Sequence, residues 1–163
     1  MKLDKAIKIR KGEAFKTEAL GAYLNKNLEL GDVKLELLQF PSGYSNLTYL
    51  IKCNQREYVL RRPPFGAKIK SGHDMSREFK VLSILQNNFP KAPKPILFCE
   101  DNKVIGSPFY IMERIKGIIL RGDMSKSELP KPKKINEIVY DFVSTMTELH
   151  SLDYRKSKFS NFG

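Results

Sequence analysis

The stretch LTYLIKCNQREYVLRR, residues 47–62, predicts two antiparallel strands joined by a tight turn at Asn54-Gln55. Upstream, apolar residues alternate with other residues from about Val33 to Phe40, which predicts a further strand. The composition of Pro41–Asn46 predicts the loop between the first and second strands. Pro63 ends the third strand, because proline cannot donate a hydrogen bond to a sheet ladder. Three consecutive strands with short connections predict a meander.

The rest of the chain predicts two more strands and three helices. The helices are expected at residues 13–28, 74–89 and 135–152, where apolar residues recur at helical spacing. The two strands are expected at Ile96–Cys99 and Pro108–Ile115, joined by a turn at Asp101-Asn102. A basic linker, Lys131–Lys134, precedes the last helix. The order predicts an α+β domain around a five-stranded antiparallel sheet, with one helix between strands three and four.

Length and composition exclude several classes of protein. The chain has 163 residues, with 41% hydrophobic and 29% charged residues, which is typical of one soluble globular domain or one large lobe. Its apolar runs are too short for a membrane helix, and the charged start Met1–Lys5 does not resemble a signal peptide. Cys53 and Cys99 lack metal-ligand spacing and are predicted to be reduced. We therefore expect a cytoplasmic protein without a membrane partner.

The charge balance favours anionic partners. Lysine and arginine number 29 and aspartate and glutamate 18, which gives a net charge of 29 − 18 = +11. Much of the excess lies in the first sixteen residues and in Lys126–Lys134, where charge runs are commonly solvated surface. A role in nucleic-acid binding stays the least favoured alternative, because the sequence has no helix-turn-helix, RNA-binding or zinc signature.

Several stretches resemble the aminoglycoside-phosphotransferase-like kinase family, in particular the branch found as stand-alone bacterial phosphotransferases and as kinase-like domains fused to acyl-CoA dehydrogenases. They follow the family's order over about residues 35–163: Phe40–Tyr49, Tyr58–Pro64, His73–Glu78, Val104–Glu113 and Leu149–Tyr154. The resemblance implies a protein-kinase-like N-terminal lobe. It divides the chain into a helical extension (1–30), a nucleotide-binding lobe (31–118), and a linker with the first helix of an incomplete C-terminal lobe (119–163).

The resemblance also implies an ATP site built from three parts of this lobe. A loop would contact phosphates, since backbone N–H groups and small hydroxyls suit phosphate oxygens. A cation on the third strand, paired with a carboxylate on the following helix, would bind phosphates as well. Because the strand register is uncertain by one residue, either of two consecutive arginines could be that cation. In both cases a planar guanidinium replaces the ammonium group of the usual lysine. A hinge would hold adenine through backbone groups. The residues concerned are Gly43, Ser45 and Asn46 in the loop, Arg61 or Arg62 with Glu78, and Met112, Glu113 and Ile115 at the hinge.

The catalytic loop and metal ligands of such kinases are expected to be absent from this chain. A catalytic loop would place an asparagine five residues after an aspartate, and none of the seven aspartates meets that condition. Hence we name no catalytic or metal-binding residue, and expect Mg²⁺ and a small-molecule hydroxyl acceptor only with the missing half. The chain alone is expected to be inactive. The alternative is a regulatory module that pairs with another chain or with itself through the apolar stripe of its last helix.

Overall fold

The computed structural model describes residues 4–31, 34–41, 45–66, 74–120, 124, 129–155 and 159. All strand pairs are antiparallel and form one sheet in the order β1-β2-β3-β5-β4. The elements are α1 (Thr17–Leu28), β1 (Glu36–Gln39), β2 (Leu47–Cys53), β3 (Arg56–Arg62), α2 (Met75–Leu85), β4 (Pro95–Cys99), α3 (Asn102–Ile105), β5 (Phe109–Glu113) and α4 (Pro132–His150). The α+β fold with five antiparallel strands and a helix between strands three and four is confirmed.

The hairpin of β2 and β3 has the bounds that the sequence predicts. Its register runs from Leu47 opposite Arg62 to Cys53 opposite Arg56. Asn54 adopts φ 53°, in the left-handed region that asparagine tolerates in tight turns. The last strand, β5, then inserts between β3 and β4, and this placement sets Tyr110 opposite Arg61.

Helix α1 packs on one face of the sheet and completes the main core. Leu20 and Leu24 lie one turn apart on the helix and have no exposed surface. They contact a buried cluster that includes Tyr49, Ile51, Leu60, Phe109 and Ile111. Burying each leucine contributes roughly 2 kcal/mol to stability. The predicted boundary at residue 30 stays a prediction, although α1 and the sheet share this core.

Helix α2 packs on the opposite face, over β4 and β5. Asp74 caps it by accepting the backbone N–H of Arg77 at 2.9 Å. Phe79 then stacks on Phe98 with 5.5 Å between ring centres. The same face carries a second apolar cluster toward β1, made of Phe40, Leu50 and Val59 with Leu38, Ala6 and Met112 around it. Helix α2 and this cluster therefore lie side by side, and polar residues between them form the candidate site.

Several predicted bounds of helices were wrong. Helix α1 begins at Thr17 rather than at residue 13, because Lys16 has an extended backbone, with φ −68° and ψ 126°. Helix α2 ends at Leu85 rather than at residue 89. In α4 the first turn starts at Pro132, so most of the predicted basic linker is helical. Proline suits a first turn, where its missing N–H would have no helical partner.

The predicted turn at Asp101-Asn102 is a short helix instead. Asp101 caps α3 by accepting the N–H of Lys103 at 2.8 Å, and Gly106 ends it with φ 85°. Two strands are also shorter than predicted: β1 begins at Glu36, and β5 ends at Glu113. In both cases the alternating hydrophobic pattern extends beyond the residues that pair with a neighbouring strand. Val33, the predicted start of the first strand, lies outside the described residues.

Helix α4 exposes its apolar stripe. Val139, Phe142, Val143 and Met146 are between 41% and 63% exposed. At its C-terminal end α4 meets Lys91, whose ammonium pairs with Glu148 and lies 3.4 Å from the hydroxyl of Thr145. Among the described residues, no helix combines the length and apolarity that crossing a membrane requires.

Candidate nucleotide-binding site

Arg61 on β3 and Glu78 on α2 form an ion pair. Arg61 Nε lies 3.2 Å from Glu78 Oε2, and Arg61 Nη2 donates to Glu78 Oε1 at 3.5 Å. Both side chains are about one-third exposed. The Nε–H is not aligned with the carboxylate, and Nε is buried without a hydrogen-bond partner. The pair therefore leaves a guanidinium donor uncommitted beside the sheet.

Two neutral side chains make the shorter contacts to the Glu78 carboxylate. Asn46 Nδ2 donates to Oε1 at 2.6 Å, and the Tyr110 hydroxyl donates to Oε2 at 2.9 Å. Burial raises the pKa of Tyr110 above its usual value, which keeps the phenol protonated as a donor. We call Asn46, Arg61, Glu78 and Tyr110 the Glu78 cluster. Sequence reasoning missed Tyr110, which the alternating pattern marks only as a core strand residue.

Arg62 lies on the other face of the sheet. Its guanidinium is buried, with Nε donating to the Pro63 carbonyl at 3.1 Å and Nη1 to the Ile105 carbonyl at 3.0 Å. The Phe65 ring lies 3.7 Å from it and the Phe15 ring 5.7 Å. Burial lowers the pKa of Arg62 from its usual value. Of the two predicted arginines, Arg61 faces Glu78 and Arg62 packs in the core.

A pocket of about 380 Å³ opens beside the Glu78 cluster. Arg61, Glu78 and Tyr110 line one part of it, and Arg77 with Val81 and Leu82 lines another. Asp74 also lines the pocket, which thus combines two arginines and two carboxylates with an apolar wall.

The predicted hinge residues lie at the end of β5 and just beyond it. Met112 is opposite Val59 and packs against the apolar cluster of Phe40, Leu50 and Val59, on the same face as Arg61. Glu113 forms two hydrogen bonds with Lys94, the residue just before β4. Its carboxylate accepts the N–H of Lys94 at 2.8 Å, and its own N–H donates to the Lys94 carbonyl at 2.9 Å. Ile115 is 51% exposed.

Arg114 separates Glu113 from Ile115 and fixes the start of the segment after β5. Its guanidinium lies 4.7 Å from the centre of the Phe40 ring and donates to the Asp4 carbonyl at 3.2 Å. The Asp4 N–H in turn donates to the Gly117 carbonyl at 3.0 Å. A second pocket, of about 350 Å³, lies here between residues 4–6, Leu38, Leu50 and Arg114.

Of the three predicted loop residues, the structure describes Ser45 and Asn46. Gly43 lies outside the described residues. Ser45 is exposed, and Asn46 is buried with its amide directed at Glu78. Of the predicted site residues, the structure therefore brings together Asn46, Arg61 and Glu78, whereas Met112 belongs to the adjoining apolar cluster.

Within the described ranges, no group of three or more histidine, cysteine, aspartate and glutamate side chains is arranged to hold a metal ion. Cys53 and Cys99 are both free and buried, and burial raises the pKa of the Cys53 thiol. Both thiols are thus enclosed as core residues are.

The fold and the ion pair together define a class. A five-stranded antiparallel sheet whose third strand presents a cation to a carboxylate on the next helix is the arrangement of the N-terminal lobe of a kinase-like phosphotransferase. The chain belongs to the phosphotransferase enzyme family, whose model matches residues 36–163. The resemblance found in the sequence is confirmed.

Several relatives of this chain are much longer proteins, and each matches it over a small part of its own length. Human acyl-CoA dehydrogenase family member 11 is 37% identical over 154 residues, covering 91% of this chain and 19% of that protein. Mouse acyl-CoA dehydrogenase family member 10 is 36% identical over 156 residues, covering 95% and 14% respectively. The probable acyl-CoA dehydrogenase IBR3 of Arabidopsis thaliana is 32% identical over 160 residues, covering 92% and 19%. The chain therefore spans less than a fifth of each of these relatives.

A solved structure shares the fold. The crystal structure of a "putative aminoglycoside phosphotransferase" from Ralstonia eutropha superposes with a TM-score of 0.65 at 29% identity. The match covers 88% of this chain and 40% of that one. The present fold thus corresponds to less than half of that phosphotransferase chain.

Proposed function

We propose that this chain is the nucleotide-binding part of a phosphotransferase that moves the γ-phosphate of ATP to a hydroxyl group of a small molecule. The observation that carries the proposal is the Arg61–Glu78 pair, 3.2 Å between Nε and Oε2, on a kinase-like sheet. A carboxylate that holds a cation in one place makes it a fixed phosphate ligand, and phosphoryl transfer depends on such positioning.

The residues present fit a nucleotide phosphate. The Arg61 side chain is 30% exposed, so the outer part of its guanidinium is accessible to an anion, whereas Nε itself is buried beside Glu78. When bound, ATP would supply the phosphoryl group that is transferred. Arg61 would donate to its phosphate oxygens while Glu78 holds the guanidinium, and the exposed Ser45 would offer a hydroxyl from the loop. The described residues offer no matching ligand set for Mg²⁺, so we assign none to this chain.

The apolar cluster beside Arg61 would receive the adenine ring. Met112, which is partly exposed, would contact the ring on this face of the sheet, with the buried Val59 behind it. The carbonyl of Glu113 and the N–H of Ile115 would then pair with the edge of the ring. Arg62 has no part in this proposal, because it lies on the far face.

Titration of the chain with ATP, followed by calorimetry, tests the proposal. Arg61→Met should weaken binding at least tenfold, because it removes the phosphate ligand. Arg56→Met is the matched control: it removes an exposed arginine from the other end of the same strand. Equal affinities for the two variants would contradict the assignment.

We also expect no phosphate transfer to any hydroxyl acceptor by the chain alone, since its sequence lacks an asparagine five residues after an aspartate.

The exposed stripe on α4 favours a second candidate, a module that associates through this helix. Phe142 is 63% exposed within the stripe, and contiguous exposed apolar residues of this kind commonly mark an interaction surface. Light scattering at rising concentration tests it: self-association should occur and should be abolished by Phe142→Glu but not by Ser144→Glu, on the opposite side of the helix. A monomer at every concentration would rule out self-pairing.

For either function we propose a cytoplasmic location, since two free, buried cysteines suit a reducing compartment.

A further inference from the structure

We propose that Tyr110 and Asn46 are positioning residues that fix the Glu78 carboxylate, so that Arg61 is held ready for phosphate before any nucleotide binds. The proposal rests on the proposed function, because it explains how the phosphate-binding cation is kept in place. It also gives Asn46 a different task from the phosphate contact that the sequence suggests.

The carboxylate of Glu78 receives one good hydrogen bond on each oxygen. Asn46 Nδ2 donates to Oε1 at 2.6 Å, and the Tyr110 hydroxyl donates to Oε2 at 2.9 Å. Arg61 approaches the same oxygens at 3.5 Å and 3.2 Å, and its Nε makes no hydrogen bond. Because hydrogen bonds weaken steeply with distance and poor angle, the two neutral donors orient the carboxylate more strongly than the arginine does.

The two donors come from different parts of the fold. Asn46 ends the loop before β2, Tyr110 is central in β5, and Glu78 lies in the first turn of α2. Tyr110 is opposite Arg61 in the strand register, so its side chain emerges on the same face of the sheet. The carboxylate therefore joins the end of the loop, the sheet and α2 at a single point.

Neutral donors have a specific advantage at this point. A second cation beside Glu78 would satisfy the carboxylate and reduce its attraction for Arg61. An amide and a phenol orient the carboxylate and leave its negative charge in place. Arg61 thus stays attracted to Glu78 while the exposed part of its guanidinium is available to a phosphate oxygen, and the cation is already in place when nucleotide binds.

Tyr110→Phe tests the proposal, because it removes only the hydroxyl. Tyr49→Phe is the matched control: it removes a buried phenol on the other face of the sheet, one that donates to the Glu13 carbonyl at 2.7 Å. Two readouts are taken on each protein. The first is the NMR signals of the Arg61 Nε–H and the Asn46 side-chain amide without nucleotide, and the second is ATP affinity by calorimetry.

In Tyr110→Phe we expect both NMR signals to move and the Kd for ATP to rise about threefold to tenfold, while Tyr49→Phe changes neither. Unchanged NMR signals in a folded Tyr110→Phe protein would overturn the positioning role, whatever the ATP affinity. If Tyr110→Phe does not fold, Asn46→Ser is measured in the same way, and an unmoved Arg61 signal there would overturn it. Absence of ATP binding by the unsubstituted chain would refute the proposed function instead, and the NMR signals would still decide the positioning.

Discussion

Arg61 and Arg62 are consecutive in the chain, yet their side chains lie on opposite faces of the sheet. Arg61 reaches Glu78 on α2, whereas Arg62 is buried against Phe65 and the Ile105 carbonyl. The alternation of a β-strand produces this division, because a one-residue step turns a side chain to the other face. One arginine is thus placed for a ligand and the other for the core.

We predict that the two arginines give opposite results on substitution. Arg62→Met leaves the buried Ile105 carbonyl without its donor and removes the cation from the Phe65 ring, so the free energy of unfolding should fall by about 2 to 3 kcal/mol. Arg61→Met breaks a partly exposed ion pair and should cost about 1 kcal/mol or less. Urea unfolding followed by circular dichroism measures both. Similar losses for the two variants would contradict the division between ligand site and core.

Strand pattern and turn chemistry were sufficient to predict the central hairpin. The bounds of β2 and β3 agree with the prediction because Asn54 accepts a left-handed turn and Pro63 stops the ladder. Helix and edge-strand bounds were less predictable, since they depend on distant contacts. Ile7 bridges to Gln39 at the edge of β1, and this contact with the N-terminal segment has no local signal in the sequence.

The candidate site was only partly predictable for a similar reason. Arg61 and Glu78 could be paired from the element order, but the choice between Arg61 and Arg62 required the strand register. Tyr110 joins Glu78 only because β5 lies between β3 and β4 rather than at the end of the sheet. Had that strand order been assumed, the position opposite Arg61 would have identified Tyr110.

Asn46→Asp should disrupt the Glu78 cluster. It replaces the donor Nδ2 by a carboxylate oxygen at 2.6 Å from Glu78 Oε1, where two like charges repel. We expect the Kd for ATP to rise about tenfold, by displacement of Glu78 from Arg61. Adding Glu78→Gln to the same protein restores a donor–acceptor pair with the roles exchanged. It should recover part of the affinity, whereas Glu78→Gln alone should not improve binding. No recovery in the double variant would count against a direct contact.

Acidification should release the N-terminal segment from β1. The buried Gln39 amide donates to the Glu13 carboxylate, and Arg10 Nε donates to it at 2.8 Å. The Gln39 hydrogen bond, and then Arg10, lowers the pKa of Glu13 below its usual 4.5, against the opposing effect of burial. A lowered folded pKa means that the stabilisation is present above the usual pKa and is lost as pH falls through the folded value.

Unfolding experiments between about pH 5 and pH 3 measure this loss. Glu13→Gln should lose less stability over that range than the unsubstituted chain. Glu36→Gln, which removes an exposed carboxylate from β1, should behave like the unsubstituted chain. Protection of the Ile7 and Gln39 amides, which donate to each other's carbonyls at 2.8 Å, should fall in parallel. An identical acid response of Glu13→Gln and the unsubstituted chain would contradict this prediction.

Alkali should destabilise the fold through Tyr49. Burial raises the pKa of Tyr49 to about 12 from its usual 10. Between these values the unfolded chain has lost the phenol proton and the folded chain retains it, so stability falls as pH rises, by at most about 1.4 kcal/mol per pH unit. Tyr49→Phe removes a hydrogen bond to the Glu13 carbonyl and should cost about 1 kcal/mol at neutral pH.

The cost of Tyr49→Phe should therefore shrink in alkali, because phenylalanine has no proton to lose. Urea unfolding of both proteins at about pH 8 and about pH 11 gives the comparison. Tyr140→Phe, which removes a phenol that is 75% exposed on α4, is the control for general effects of alkali. If the difference between Tyr49→Phe and the unsubstituted chain is the same at both pH values, the buried Tyr49 phenol is not a source of alkaline unfolding.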